Sequence, residues 1–362
     1  MQHFSGSYAP DDVQFLLKPM HIHDTPVHEK ELLIQSGQKH YSELLSQESL
    51  PPPAYVELFY RGMALNQQRL ATHLLALASK IHDTRPTNIT LVSLARAGTP
   101  IGVVLKRLLA RYFHRSVQHY SISILRDKGL DLNALRFILQ KHSPESLVFV
   151  DGWTGKGVMA RQLAKSLQEF ASSDGISIPP ELYVVADLSG TATVAATAED
   201  YLIPSCILNA TVSGLVSRSV YSQKAKHPDD FHGCVFYEQF QKDDLSQYFV
   251  ETLLNEAEQI WPYFASLPQI QLNCEHLQMV STQFLAWLQN HYVIAHVNHI
   301  KPGIGEASRV LLRREARMLL LQDMQSEATQ HLRWLADAKA IPVAHLPDSP
   351  YKAVALIKEL AL

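Results

Sequence analysis

Four times between residues 90 and 192, an apolar run of strand length ends on a turn of small or acidic residues. The stretches read TLVSLARAGTPIGVVLKRLLARYF, VQHYSISILRDKGLDLNALRFILQKH, LVFVDGWTGKGVMARQL and LYVVADLSGTA. Their apolar runs are rich in β-branched residues, as strands are, and in most of them an amphipathic helical pattern follows the turn. Such alternation predicts an α/β fold, a Rossmann-like parallel sheet with helices on both faces. Ligands of such sheets bind beyond the carboxyl ends of the strands. The residues that attract attention here fall at those ends.

At 362 residues the chain is too long for one ordinary domain. Three consecutive prolines at 51–53 cannot sit inside a helix and mark a first boundary. Helical and strand periodicity lapses again in WPYFASLPQIQLNC, residues 261–274. The expected layout is an N-terminal extension (1–53), a larger α/β domain (54–262), a linker (263–275) and a small α/β/α domain (276–362). For the small domain the pattern predicts a helix over 276–291, then a strand VIAHV and a loop NHIKPGIGE. A helix ASRVLLRRE, a strand MLLLQD, a helix through EATQHLRWLADAK, a strand IPVAHL and a last helix from Pro350 complete it.

A net charge of −3 excludes a globally basic nucleic-acid coat and leaves room only for a local basic face. No apolar stretch reaches the roughly 20 residues that span a bilayer. The start, MQHFSGSYAPDD, lacks a secretory signal. Cys206, Cys234 and Cys274 are widely spaced, which fits a reducing cytoplasm better than a disulfide framework. His21, His23 and His28, with Glu31, make only a weak metal-site pattern, and the histidines read as exposed polar residues.

The strand 147–150 delivers Asp151 to the sheet edge, where a carboxylate can hold ribose hydroxyls or a metal ion. Thr154, Gly155, Lys156 and Gly157 then form a turn before a helix. Bare glycine backbone, a helix N-terminus and a hydroxyl or ammonium group together suit a phosphate. VSLARAGTPIG repeats the device, with Arg96 beside Ala97, Gly98 and Thr99 for a second, more highly charged phosphate. In this the chain resembles the type I phosphoribosyltransferases. More specifically, SLARAGTPIG, HYSISILRDKGLD, FVDGWTGKG, EDYLIPSCILNATVSGLVSRSV and DFHGCVFYE resemble the StiP-type family of stress and tellurite-resistance operons. Some of its members carry the name cysteine protease.

The resemblance implies a phosphoribosyl diphosphate-type ligand held with Mg2+ at Asp151, and Arg96 stabilising the departing pyrophosphate. It implies that Arg126, Lys128 and Asp131 belong to a mobile loop over the active site. Asp187, Ser189, Ser213 and Arg218 then form the second-substrate side. Two further classes stand beside phosphoribosyl transfer. One is a non-catalytic sensor of phosphoribosyl diphosphate, since Gly152 replaces one acid of the family's pair. The other is a cysteine hydrolase using Cys234 with His232, because alternate strand residues share a face.

In the small domain, NHIKPGIGEASRVLLRREAR repeats the glycine loop and helix with no acid beneath it. The stretch resembles the PELOTA-type RNA-binding domain, whose loop runs Gly-x-Asn-Glu-x-x-Lys. Gly303, Gly305, Glu306 and Arg309 take those positions. RNA contact is then expected from Lys301, Gly303, Gly305, Glu306, Arg309 and Arg313. The alternative is a docking module for another protein of the same operon.

Overall fold

The computed structural model of the chain describes residues 4–221, 227, 229–267 and 271–359. Residues 268–270 of the expected linker and 360–362 of the expected last helix lie outside them. In chain order the first part comprises β1 (Gln14–Leu16), β2 (Lys18–Pro19), α1 (Val27–Gln35), α2 (Pro53–Thr84) and β3 (Ile89–Ala95). It continues with α3 (Gly98–Phe113), β4 (Val117–Leu125), β5 (Gly129–Leu130), α4 (Leu132–Leu139) and β6 (Leu147–Thr154). There follow α5 (Val158–Asp174), β7 (Leu182–Asp187), β8 (Val194–Thr197), β9 (Gly233–Cys234) and α6 (Ser246–Ile260).

Among the described residues the main sheet has seven strands, in the order β1-β4-β3-β6-β7-β8 with β5 beside β4. All its pairings are parallel except β4 with β5. Alternation along the strands builds two cores. Leu91 and Val148 point to the side of α2, α3 and α6, while Val92 and Phe149 point to the side of α4 and α5. The proline run does mark an element start: α2 begins at Pro53, where a missing N–H costs nothing. The segment expected as an extension supplies the edge strand β1, paired with β4. Its β2 pairs with β9.

The C-terminal part comprises α7 (Cys274–Tyr292), β10 (Ile300–Pro302), α8 (Ile304–Arg313), β11 (Ala316–Leu321), α9 (Gln330–Ala338), β12 (Val343–His345) and β13 (Ala353–Ile357). Its sheet order is β10-β13-β11-β12. Two predictions fail here. VIAHV forms no strand: Val293 is the left-handed cap of α7 (φ 52°), and Val293 and Val297 are exposed. The expected last helix is instead β13. All five of its residues are buried, and a short continuous apolar run carries no period that tells strand from helix.

The two parts share one apolar core. Ile304 and Leu311 of α8, Leu335 of α9 and Ile357 of β13 join the cluster formed by α2, α3 and α6. On the opposite face of the small sheet, Leu285 and Leu288 of α7 cover Leu320 and Leu356. Among the described residues no helix is long and apolar enough to cross a membrane.

Candidate functional site

The carboxyl ends of β3 and β6 open onto a cleft whose far wall is α8 of the C-terminal domain. One cavity of about 250 Å³ lies between Asp151, Trp153 and Lys156 on one side and Lys301, Glu306 and Arg309 on the other. A second, of about 200 Å³, shares Asp151, Trp153 and Arg309 and adds Arg96, Ser213 and Cys206.

The two expected phosphate loops are spent on packing. Thr154 Oγ1 accepts the Gly157 N–H at 3.0 Å and closes its own turn. A Cβ placed on Gly155 would lie 2.5 Å from the Pro302 carbonyl oxygen, so the C-terminal domain covers that glycine. Lys156 Nζ donates to the Ile300 carbonyl at 2.9 Å and to that of Val297. In the other loop Gly98 packs on the Val150 carbonyl, Thr99 Oγ1 meets Ser121 Oγ at 2.7 Å, and Ala97 lines the second cavity. Arg96 is 7% exposed and ion-pairs with Glu48 at 2.8 Å. It also donates to Asn209 Oδ1 at 2.8 Å and to the Val216 carbonyl at 2.9 Å.

Asp151 does face the cavities. Burial pushes its carboxyl up to about 6, partly offset by the Arg309 guanidinium and the Gly152 N–H. Among the described residues no group of three His, Cys, Asp or Glu gathers to cage a metal, so a Mg2+ ion, which keeps several waters, would be held here by the Asp151 carboxylate, whose charged neighbours are Arg309 and Glu306. The histidine stretch gathers no metal site among the described residues either: His28 Nδ1 lies 2.9 Å from Glu315, and Glu31 is sealed against Arg314 at 2.8 Å.

The residues expected over the active site divide. Arg126 stacks on Tyr41 with 5.2 Å to the ring centre and lines the first cavity, whereas Lys128 is exposed in the β4–β5 turn. Asp131 caps α4 by accepting the Asn133 and Ala134 N–H groups. Ser213 and Arg218 line the second cavity. Asp187 and Ser189 close a turn after β7, with Asp187 accepting the N–H groups of Ser189 and Ala192 at 2.8 and 2.7 Å.

The loop expected to meet RNA faces inward. Asp200 accepts the Ile304 N–H at 2.9 Å and the Lys352 N–H at 2.8 Å, which pins the start of α8 to the first domain. A Cβ on Gly303 would lie 2.5 Å from Leu188 Cδ1, and one on Gly305 would lie 2.5 Å from Trp153 Nε1. Arg309 stacks over Trp153 at 4.4 Å and pairs with Glu306 at 2.8 Å. Arg313 donates to Asn209 Oδ1 at 2.8 and 2.6 Å, so one amide oxygen serves Arg96 and Arg313 together.

Of the cysteines, Cys234 is fully buried in β9, and burial pushes its thiol up to about 12. His232 Nδ1 lies 2.8 Å from Ser123 Oγ. Cys274 is half-buried at the start of α7. Cys206 is the cysteine on a cavity wall, 2% exposed, in the short 3₁₀ turn Pro204–Cys206. Its Sγ is 3.5 Å from Ser308 Oγ, which lies 2.7 Å from His331 Nε2. Ser308 spends its one proton on the Ile304 carbonyl at 2.7 Å, so it accepts from the other two groups. Burial raises the Cys206 thiol to about 12, outweighing Ser308 and Arg309, and the resting sulfur is protonated. Reasoning from sequence missed Cys206, Asn209, Glu48, Ser308 and His331. EDYLIPSCILNATVSG holds the first two, but in an irregular apolar run with no spacing that marks chemistry.

Comparison with known proteins gives a consistent family. The profile described as "Tellurite-like stress resistance cysteine protease StiP" matches residues 6–254, and that of the PELOTA RNA binding domain matches 279–359. The chain is 40% identical over 369 residues to "Cysteine protease StiP" of Acinetobacter baylyi, covering 99% of this chain and 95% of that protein. Among solved structures it is similar to a hypoxanthine phosphoribosyltransferase of Trypanosoma cruzi at 15% identity, covering 38% of this chain and 82% of that one, TM-score 0.28. A hypoxanthine-guanine phosphoribosyltransferase of Bacillus anthracis matches at 14%, covering 37% and 82%, TM-score 0.27. Likenesses at that level carry no argument about activity. The expectation of phosphoribosyl transfer is therefore corrected: the family and the full-length relative are both named for a cysteine protease.

Proposed function

The chain belongs to the StiP family, and on that premise we propose that it is a thiol-dependent hydrolase of the cysteine protease class, with Cys206 as nucleophile. One observation carries the assignment: of the two cysteines inside the matched segment, Cys206 lines a cavity together with Asp151 and Arg309, and Cys234 does not belong to any cavity described. A nucleophile must reach its substrate's carbonyl carbon, and Cys234 is closed off from one.

In the proposed reaction His331 takes the tautomer protonated at Nδ1, the Ser308 hydroxyl turns from the Ile304 carbonyl to Nε2, and the thiol proton passes through Ser308 Oγ to Nε2 as Sγ attacks the carbonyl. The amine leaves with that proton, and water then splits the thioester and restores the thiol. Arg309 shares the cavity and lowers the thiol's pKa, so its guanidinium is the group suited to the developing oxyanion. In the docked form burial holds His331 down to about 3 and the thiol up to about 12. This form is a resting one. Water entering the cleft while Cys206 stays against Ser308 would bring both values back toward their ordinary range.

The test is hydrolysis of casein and of a fluorogenic peptide pool by the full chain and by Cys206→Ser, Cys234→Ser and Cys274→Ser. Cys206→Ser is expected to lose activity by about 10³-fold or more, the scale for a deleted nucleophile, and the other two to keep it. Loss confined to Cys234→Ser would overturn the assignment.

A further inference from the structure

The geometry points to the larger interdomain cavity as a binding site for a compact ligand bearing two or more phosphoryl groups, held by cations from both domains. The inference is independent of which cysteine reacts.

The cavity is overcharged. Of its nineteen lining residues eight are lysine or arginine and two are acidic. Three of the cations have carboxylate partners within the protein: Arg309 with Glu306 at 2.8 Å, Arg314 with Glu31, and Arg126 with Asp127 at 3.2 Å. The other five have no ion-pair partner within 4.0 Å among the described residues. Lys30, Lys156, Arg218 and Arg313 rest on hydroxyl, carbonyl or amide oxygens. Lys301 makes no described hydrogen bond from its ammonium at all. Burial and neighbouring cations hold Lys156 down near 6 and Lys301 near 8, the direction expected where positive charge exceeds what the protein neutralises.

Gathering like charges in a half-closed cavity is costly unless an anion completes the set. Such a cleft also focuses the field and raises the local concentration of anions. A single carboxylate would leave most of the excess in place, whereas two phosphoryl groups supply three or four negative charges. A volume of about 250 Å³ suits a small ligand and shuts out a nucleic-acid duplex. The contacts come from side chains, since Pro302 already covers the Gly155 backbone. Lys30, Lys156 and Arg218 belong to the first domain and Lys301 and Arg313 to the second. A bound anion would therefore tie the domains together and raise the melting temperature with its concentration.

The experiment is calorimetric titration of the full chain with sodium tripolyphosphate, pyrophosphate and ATP at 50 and 300 mM NaCl, beside thermal melts. Binding is expected, weaker at the higher salt, with Lys301→Ala losing about tenfold in affinity. Lys301→Arg should retain it, as should the remote control Lys165→Ala. Tighter binding of ATP than of tripolyphosphate would assign the ligand to the nucleotides, and equal binding to the phosphates alone. Wild-type protein with a normal melt and no tripolyphosphate binding would overturn the proposal. So would unchanged binding by Lys301→Ala, or a single-stranded RNA that displaces tripolyphosphate at lower concentration than ATP does.

Discussion

Adding one methyl group at Gly305 probes how the two domains are locked. Gly305 is the second residue of α8, and a Cβ there would lie 2.5 Å from Trp153 Nε1 and closer still to Cε2. Ordinary carbon contacts lie near 3.5–4.0 Å, so the indole must retreat by about an ångström. It has little room, being 7% exposed with Arg309 stacked on it. Overpacking of this kind costs about 1–3 kcal/mol. The backbone of Gly305 is not in the left-handed region, so alanine carries no conformational penalty, and its helix propensity is better by up to ~1 kcal/mol. The cost therefore belongs to the ring. In a Trp153→Leu background the same substitution should become neutral or stabilising, giving a coupling of about 1–3 kcal/mol in a double-mutant cycle read by urea denaturation. Equal cost of Gly305→Ala in both backgrounds would refute the reasoning.

Asp151 has a folded pKa near 6 against an ordinary 3.8. Its protonated form is thus favoured by folding, and that stability is complete below about pH 4 and lost as pH rises through 6. Asp151→Asn should raise the melting temperature relative to wild type at pH 8, by up to about 3 kcal/mol equivalent, with no gain at pH 4. Arg314→Leu strands the fully buried Glu31 carboxylate and should cost about 3–5 kcal/mol. The double variant Glu31→Leu, Arg314→Leu should recover most of it in chemical denaturation. Iodoacetamide followed by peptide mass mapping should label Cys274 first, because Cys206 and Cys234 are 2% and 0% exposed and both thiols are held near 12. Early labelling of Cys206 would mean that the docked form is not the main one in solution.

Much of the architecture is legible from local pattern. TLVSLA and LVFV become β3 and the start of β6, their following segments become α3 and α5, and the parallel sheet follows. Backbone sterics and the alternation of apolar residues act over a few positions, so these features are written in consecutive residues. The C-terminal domain is legible as a unit for the same reason. Its YKAVALI run is not, because five buried residues in a row are equally compatible with a strand or one helical turn after another.

Identity of the loops was visible, but their surroundings were not. Gly155, Gly303 and Gly305 read as bare backbone waiting for a phosphate or a base; in the fold each meets protein instead, at Pro302, Leu188 and Trp153. Cys234 stands out in sequence beside His232, whereas Cys206 stands beside a serine and a histidine more than a hundred residues away. The sequence by itself determined most of the strands, turns and helices, because those depend on near neighbours. Tertiary structure decided which residues are enclosed, which charges are left without partners and which thiol meets a cavity, because each depends on surfaces brought together from distant parts of the chain.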